Sequence, residues 1–376
     1  MSVVPCGFLR AADRPTVESD DELTFTIVID PADLRATMAD LGEPAYRAAQ
    51  VYQALTRGLV TDFEAVGVLP RALRAALADR LDAVTLTPVE SYVTAHGDAR
   101  KTLFATRDGQ PVEAVLMLYR TRATVCVSSQ VGCAVGCAFC ASGSEGLIRD
   151  LTAEEMVDQV LHFARELRRS GRSVTNVVVM GMGEPFHNYD ETLRACRLLH
   201  DPDGFGLGAR GLSISTAGVV PMIRRFTAEA SQINLAVSLH AATDELRDQL
   251  VPLNRRFPLD ELLRACAEYV AARRRKLLFE YVVLAGVNDG DDQVKALAAR
   301  LGRRSLYHLN LIAYNETGEF ARPRARELAA LRDRLEAAGV ACTLRRSPGG
   351  EIEAACGQLA LGRHGGRERG SVGRTD

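Results

Sequence analysis

The sequence predicts an α/β protein: a partial parallel barrel of about six strand–helix units, preceded by a small helical domain and a β extension. Three observations predict it. After residue 123, short apolar, β-branched segments alternate with helical stretches, as buried parallel strands and their covering helices do. Between Asp30 and Leu81 apolar residues recur at helical spacing. Between residues 90 and 127 they alternate at strand spacing around Asp108-Gly109. At 376 residues, 47% of them hydrophobic, the chain can bury a large core with a smaller domain attached.

Taken in order, residues 1–27 carry mixed charges, Pro5 and Pro15 and no sustained period, and read as a poorly ordered leader. Residues 28–89 form the helical domain. Tyr46, Ala49, Val51, Tyr52 and Leu55 fall close to one stripe, and Pro70 opens a further helix. Residues 90–122 form the β extension, with Lys101–Thr106 and Val112–Met117 flanking the Asp108-Gly109 turn. Residues 123–361 form the barrel. Its strands are Thr124–Val127, Asn176–Met180, Leu212–Ser215, Ile233–Ser238, Leu277–Leu284, Tyr307–Ile312 and Val340–Leu344. Helices separate them; the one over Ala153–Arg168 starts with Thr152 as N-cap and Glu155 completing a capping box. The Gly- and Arg-rich stretch 362–376 is expected to be disordered.

A formal net charge of −2 excludes a generic polyanion binder. Basic residues do cluster locally at Arg224-Arg225, Arg255-Arg256, Arg273-Arg274-Arg275-Lys276, Arg303-Arg304 and Arg345-Arg346. Each alone reads as a solvated helix end or loop, and together they leave room for a basic face. The cysteine count is odd, at 9. No signal peptide and no apolar run of spanning length is apparent, so a cytoplasmic protein with reduced thiols and no membrane partner is expected.

The chemistry centres on Cys126-Val127-Ser128-Ser129-Gln130-Val131-Gly132-Cys133-Ala134-Val135-Gly136-Cys137-Ala138-Phe139-Cys140. Cys133, Cys137 and Cys140 are spaced C-x3-C-x2-C. Soft thiolates crowded into one loop point to a metal site. A structural zinc ion would want a fourth ligand from a second C-x2-C or H-x3-H pair, which the sequence lacks. Three thiolates suit an iron–sulfur cluster with one iron free of protein ligands, open to a substrate. Spacing, glycines and Phe139 together resemble the cluster signature of the radical S-adenosylmethionine (SAM) enzymes.

Other words extend the resemblance. Gly181-Met182-Gly183-Glu184-Pro185 follows a buried strand, where glycines let the backbone approach a ligand. Ser213-Ile214-Ser215 and Ser238-Leu239-His240 end the next two strands with groups able to hydrogen-bond a ribose or carboxylate. Asn315 follows the sixth strand, and Glu280-Tyr281 precedes Gly286-Val287-Asn288-Asp289. A lone cysteine, Cys356, sits in Ala355-Cys356-Gly357-Gln358-Leu359. With Cys126, these words in this order, from roughly Leu41 to Leu361, resemble the radical SAM adenine methyltransferases of ribosomal and transfer RNA.

The resemblance implies the following. Cys133, Cys137 and Cys140 hold a [4Fe-4S] cluster. Glu184, Pro185, Ser215, Ser238, Leu239, His240 and Asn315 bind SAM, two molecules of which are used per turnover. One SAM methylates Cys356; a 5′-deoxyadenosyl radical from the second takes a hydrogen from that methyl, and the methylene radical adds to adenine. Cys126 then attacks the sulfur of Cys356, forming a disulfide and freeing the product. Glu113 is the proton acceptor, although a glutamate in an apolar strand would by itself read as solvent-facing. Substrates are 23S rRNA and tRNA, whose loops present an adenine cheaply, and the electron donor is a reductant such as flavodoxin. A monomer is expected, with the helical domain engaging RNA.

Cys196, Cys266 and Cys342 match no family site and read as core; Cys6 falls in the leader. Two stretches depart from the family pattern: Ala141-Ser142-Gly143-Ser144-Glu145, where relatives carry Thr and Gln, and Glu316-Thr317-Gly318, where proline usually follows Asn315. A sister group with the same cysteines methylates adenine C8, so C2 is the favoured carbon. A paralogue with another RNA target, a radical SAM enzyme acting on a small molecule or peptide, and a non-catalytic RNA-binding or iron-storage module are the alternatives. The last two have no need of the Cys126/Cys356 pair.

Overall fold

The computed structural model describes residues 30–144, 146–229, 231–345, 348–355 and 357–359. The expected leader, Cys6, Cys356 and the Gly- and Arg-rich tail lie outside those residues.

The chain begins with α1 (Pro31–Asp40), α2 (Tyr46–Thr56) and α3 (Arg71–Ala78). Asp30 caps α1 by accepting the Ala32 N–H at 2.8 Å. The buried stripe of α2 is rotated from the expected one. Ala48, Val51, Tyr52 and Leu55 are buried, at true i, i+3/i+4, i+7 spacing. Ala49 is exposed, and Tyr46 is 57% exposed with the Arg47 guanidinium over its ring. The domain docks on the barrel through Tyr52, whose hydroxyl donates to Asp201 at 3.0 Å, and Arg57, whose Nε donates to the Gly204 carbonyl at 2.7 Å.

The β extension is β1 (Leu86–Val93), β2 (Ala99–Thr106) and β3 (Pro111–Leu118), an antiparallel meander that continues antiparallel into β4 (Ala123–Val127). Next come the small hairpin β5 (Gln130–Gly132) and β6 (Leu147–Asp150), with α4 (Ala141–Ser144) between them. The barrel proceeds through α5 (Ala153–Arg169), β7 (Asn176–Val179), α6 (Tyr189–His200), β8 (Leu212–Thr216), α7 (Val220–Ala228), β9 (Asn234–Ser238) and α8 (Asp244–Leu250). It ends with α9 (Leu259–Arg273), β10 (Leu277–Val283), α10 (Asp291–Leu301), β11 (Tyr307–Ala313), α11 (Ala325–Ala337) and β12 (Cys342–Arg345). The capping box at Thr152 and Glu155 is formed.

One 10-stranded sheet results, in the order β1-β2-β3-β4-β7-β8-β9-β10-β11-β12. From β4 onward every pairing is parallel, so six crossovers connect the strands of the partial barrel. Extension and barrel are therefore one continuous surface. The sheet curls far enough that Arg345 on β12 reaches the Met180 sulfur beyond β7, at 3.7 Å. Alternation sorts the side chains. Leu277, Phe279, Tyr281 and Val283 of β10 pack in the main core with the helices, while Glu280 and Val282 face the lumen. Cys196, Cys266 and Cys342 are core residues, as expected.

Candidate active site

A cavity of about 170 Å³ opens at the C-terminal ends of the parallel strands, the side where parallel α/β folds bind ligands. Strands and the loops that follow them supply its walls: Met117 from β3, Cys126 from β4, Met180, Gly181, Gly183, Glu184 and Pro185 after β7, Ser215 and Ala217 at β8, Ser238 and His240 at β9, and Glu280 from β10. Cys133, Cys137 and Cys140 line the same space, as do Ala354, Ala355 and Gly357.

The cysteine loop is wedged into an apolar cluster. Cys133, Val135 and Phe139 pack with Ala217, Ala241, Leu250, Val282 and Tyr314. Burial pushes the Cys133 thiol up to about 12 and the Cys137 thiol well above its ordinary value, the latter offset in part by the nearby Arg247 cation. Such thiols become thiolates only when a metal supplies the compensating charge. Among the described residues no three His, Cys, Asp or Glu side chains are gathered tightly enough to hold a single metal ion. A cuboidal cluster does not ask for that, because each thiolate takes a different iron. The donor set therefore fits a [4Fe-4S] cluster better than the zinc alternative.

The glycines of the 181–185 turn serve packing first. A Cβ at Gly181 would come 2.8 Å from the Val127 carbonyl, and one at Gly183 (φ +100°) would come 2.6 Å from Gln130 Cβ. They let this turn lie against the backbone after β4 rather than only against a ligand. Glu184 is buried; its two oxygens accept the N–H groups of Ala217 (2.6 Å) and Phe186 (2.9 Å), and burial raises its pKa to about 7. Ser215 and Ser238 face each other with hydroxyl oxygens 3.4 Å apart. His240 has a left-handed backbone (φ 60°) and accepts the Val282 N–H on Nδ1 at 3.0 Å. Burial pushes its pKa down to about 3, so the ring is neutral and carries its proton on Nε2. Asn288 ties this turn down, donating to the carbonyls of His240 and Val282.

Two further residues expected at the SAM site, Leu239 and Asn315, do not line this cavity. Leu239 packs in the main core, with its N–H donating to the Glu280 carbonyl. Asn315 lines a neighbouring cavity with Tyr119, Arg120 and Arg322, and accepts from Arg322 at 3.0 Å.

Glu113 is 1% exposed, against the solvent-facing reading of a lone glutamate in a strand. It shares a face of β3 with Val115 and Met117, and Val115 pairs directly with Cys126 across to β4. Its carboxylate is 2.9 Å from Lys101 Nζ, with both side chains 2% exposed. It is not among the residues lining the cavity.

The flanks of Cys356 are pinned from three sides. Lys101 donates to the Glu353 carbonyl at 3.3 Å, and the Ala95 N–H donates to Glu351 at 2.7 Å. From the cysteine loop, the Ala141 N–H donates to the Gly357 carbonyl at 2.8 Å and the Ser142 hydroxyl to the Leu359 carbonyl at 2.5 Å. Both departures from the family pattern thus act on this assembly. Ser142 holds the C-terminal segment, and Thr317 donates to the Phe139 carbonyl at 2.8 Å while bonding the Tyr314 hydroxyl.

Sequence reasoning missed three residues. Arg247 is 1% exposed and donates to the carbonyls of Ala217, Ser238 and Leu239, joining the loops after β8 and β9. Arg345 turns into the lumen and pairs with Glu280 at 3.0 Å, while Asn310 donates to the same carboxylate. Lys101 completes the buried pair with Glu113. A lysine and a glutamate on adjacent antiparallel segments, each in apolar alternation, was the signal available for that pair. The other basic clusters behave as surface: Arg224 and Arg225 pair with carboxylates of neighbouring helices.

Comparison with known proteins agrees with this site. The sequence profile of the Radical SAM superfamily matches residues 127–298. A probable dual-specificity RNA methyltransferase RlmN of Symbiobacterium thermophilum is 46% identical over 329 residues, 86% of this chain and 87% of the relative. A protein of the same description from Chloroflexus aurantiacus is 44% identical over 346 residues, 89% of this chain and 91% of the relative. Among solved structures, a radical SAM methyltransferase from Sphaerobacter thermophilus is 50% identical with a TM-score of 0.86, covering 88% of this chain and 98% of the other. Identity of this order across nearly the whole length means that the chain belongs to the RlmN family of radical SAM methyltransferases, enzymes that use a [4Fe-4S] cluster and SAM.

Proposed function

We propose that the protein methylates adenine at ring carbon C2 in 23S rRNA and in tRNA, with Cys356 as the methyl carrier. The observation that carries this reading is the shared cavity. Cys126, the three cluster cysteines and the residues on either side of Cys356 line one space, although they come from opposite ends of the barrel sequence. The relatives' description as dual-specificity RNA methyltransferases supports two RNA substrates. A radical SAM enzyme for a small molecule would not need the two extra cysteines.

Cys133, Cys137 and Cys140 would hold the cluster. Glu184, Pro185, Ser215, Ser238 and His240 would line the SAM site, with Leu239 packing behind them and Asn315 beside it. When bound, cluster and SAM supply the methyl group and the carbon radical that an electron-poor aromatic carbon requires. The chain supplies the rest. Cys356 holds the one-carbon unit while it becomes joined to adenine. Cys126 resolves that adduct: its sulfur bonds to the sulfur of Cys356, the carbon–sulfur bond breaks, and the pair from that bond stays on the carbon, which takes up a proton. Glu113 would accept the proton lost from the ring carbon, and the one electron left on the adduct would pass to the cluster. Neutral His240 donates from Nε2 without adding charge to the pocket. The target base must leave its stack to enter, which loops allow at least cost. A flavodoxin-class reductant, a monomeric state and a cytoplasmic setting complete the reading; among the described residues no helix is long and apolar enough to cross a membrane.

The test is incubation of anaerobically reconstituted enzyme with SAM, reductant, and rRNA or tRNA fragments, followed by mapping of methylated adenines. Methyl at C2 is expected in both RNAs, and Cys126→Ala should trap RNA covalently on Cys356. Methyl at C8, or methylation that survives Cys356→Ala, overturns the proposal.

A further inference from the structure

We infer that Lys101 is a positioning residue that couples the seating of the Cys356 segment to the proton acceptor Glu113. The inference rests on the roles proposed above for those two residues. Lys101 sits on β2 and is 2% exposed. A lysine is rarely buried so deeply unless its charge is matched. The match is Glu113, 2.9 Å away. A second hydrogen bond goes to the main-chain carbonyl of Glu353 at 3.3 Å, three positions before Cys356, and the ring of Tyr92 lies 5.6 Å from the ammonium.

That second contact does not help neutralise Lys101, because a carbonyl carries no net charge. It does fix where the C-terminal segment lies. Glu353 adopts a left-handed conformation (φ 53°), so the chain turns at this point. Beyond Cys356 the next described carbonyl, that of Gly357, is held by Ala141 of the cysteine loop. The described residues on either side of Cys356 are therefore held from two directions, one on the β extension and one on the cluster loop. Only the first is shared with an acid. If the segment lifts, Lys101 loses an acceptor in a buried place and the geometry at Glu113 relaxes with it. Seating of the carrier and orientation of the acid are two readings of one ammonium group.

The experiment compares Lys101→Met, Lys101→Arg, Glu113→Gln and the double variant Lys101→Met/Glu113→Gln in the full-length, cluster-loaded enzyme. Three quantities are read: 5′-deoxyadenosine formed per RNA either methylated or covalently attached, the fraction of RNA left covalently attached, and hydrogen exchange at the amides of residues 353–355 and 357. Lys101→Met is expected to raise the first ratio about tenfold, the order expected when a reacting group is displaced by a fraction of an ångström. It should also leave attached RNA and speed exchange in the segment. Lys101→Arg should restore the ratio in part. Glu113→Gln should leave attached RNA while keeping the ratio near that of the parent enzyme. The double variant leaves no unpaired charge buried, so it covers the case in which Lys101→Met fails to fold. Its ratio should exceed that of Glu113→Gln alone. A Lys101→Met enzyme, or a double variant, that is merely less stable, with ratio and exchange unchanged, overturns the inference. Normal release of RNA by Glu113→Gln would instead overturn the role of Glu113, and the segment readouts would still judge Lys101.

Discussion

Arg247→Met should damage SAM binding and stability together, by an amount the geometry bounds. The guanidinium makes four hydrogen bonds: to the carbonyls of Ala217 (2.6 Å), Ser238 (2.9 Å) and Leu239 (3.0 Å), and to Asn254 Oδ1 (2.9 Å). One of these acceptors has an alternative, since the Leu239 carbonyl also takes the Ala241 N–H; the Asn254 amide still donates to Asp244 and Asp248, but its Oδ1 loses the guanidinium. The other three would lose that donor in a buried site, at about 1–3 kcal/mol each. Against that, burial already drags the Arg247 pKa down to about 10, so removing the charge relieves part of its desolvation. A net loss of about 3 kcal/mol follows. Arg247→Lys should recover less than half of it, because an ammonium cannot fork between two loops. Urea unfolding of the cluster-free protein measures the first effect, and calorimetric SAM titration of the loaded enzyme the second. A loss below about 1 kcal/mol with unchanged SAM affinity would refute the claim that Arg247 holds the β8 and β9 loops in register.

The remaining predictions concern the two divergent stretches and His240. Ser142→Ala removes a buried and Thr317→Val a half-buried side-chain hydrogen bond to or from the cysteine-loop region, so each should cost about 1 kcal/mol. They should also hasten iron loss under a chelator; iron content after timed dialysis checks this, and retention equal to the parent's would count against the bracing role. The ring of His240 should show no titration between pH 5 and 8 and an Nε2–H tautomer in nitrogen-resolved NMR. Its folded pKa of about 3 lies below the unfolded value. Its contribution to stability is therefore complete above about pH 6.5 and is lost as pH falls from there toward the folded value. His240→Asn, which tolerates the left-handed backbone, should flatten that acid limb in urea melts at stepped pH.

What the sequence revealed and what it concealed divide along a physical line. Parallel strands buried on both sides announce themselves as apolar runs, so the barrel strands, the capping box at Thr152 and the Asp108-Gly109 hairpin could be read locally. The cysteine loop was legible for the same reason: its chemistry lies within eight consecutive residues. Glu113 and Lys101 were harder. Strand alternation says which face a residue takes, but not whether that face meets water or the folded-back C-terminal segment. Arg247 carried no local mark at all, since its acceptors are main-chain carbonyls, which any sequence supplies. The misplaced stripe on α2 has a smaller cause. Tyr46 is the first residue of its helix, where no preceding turn exists to hold its ring against the core.

The most consequential contacts are also the longest in sequence. Lys101 to Glu353, Ala95 to Glu351 and Ser142 to Leu359 join residues separated by 252, 256 and 217 positions. None can form until the curled sheet has brought β12 round beside the extension. The role proposed for Cys356 requires the completed barrel, and the described residues beside it are held by these hydrogen bonds and by the packing of Ile352, Ala354 and Leu359 with Val115, Met117 and Cys126. Each of these hydrogen bonds is worth about 1 kcal/mol, enough to seat the segment and little enough to let it move within a turnover. A carrier that must receive a methyl group, give up a hydrogen and finally be cut from the product needs both properties. Ser142 makes one of these bonds and Thr317 braces the cysteine loop beside it, so substitution there alters how firmly the segment is seated without touching the cysteines themselves.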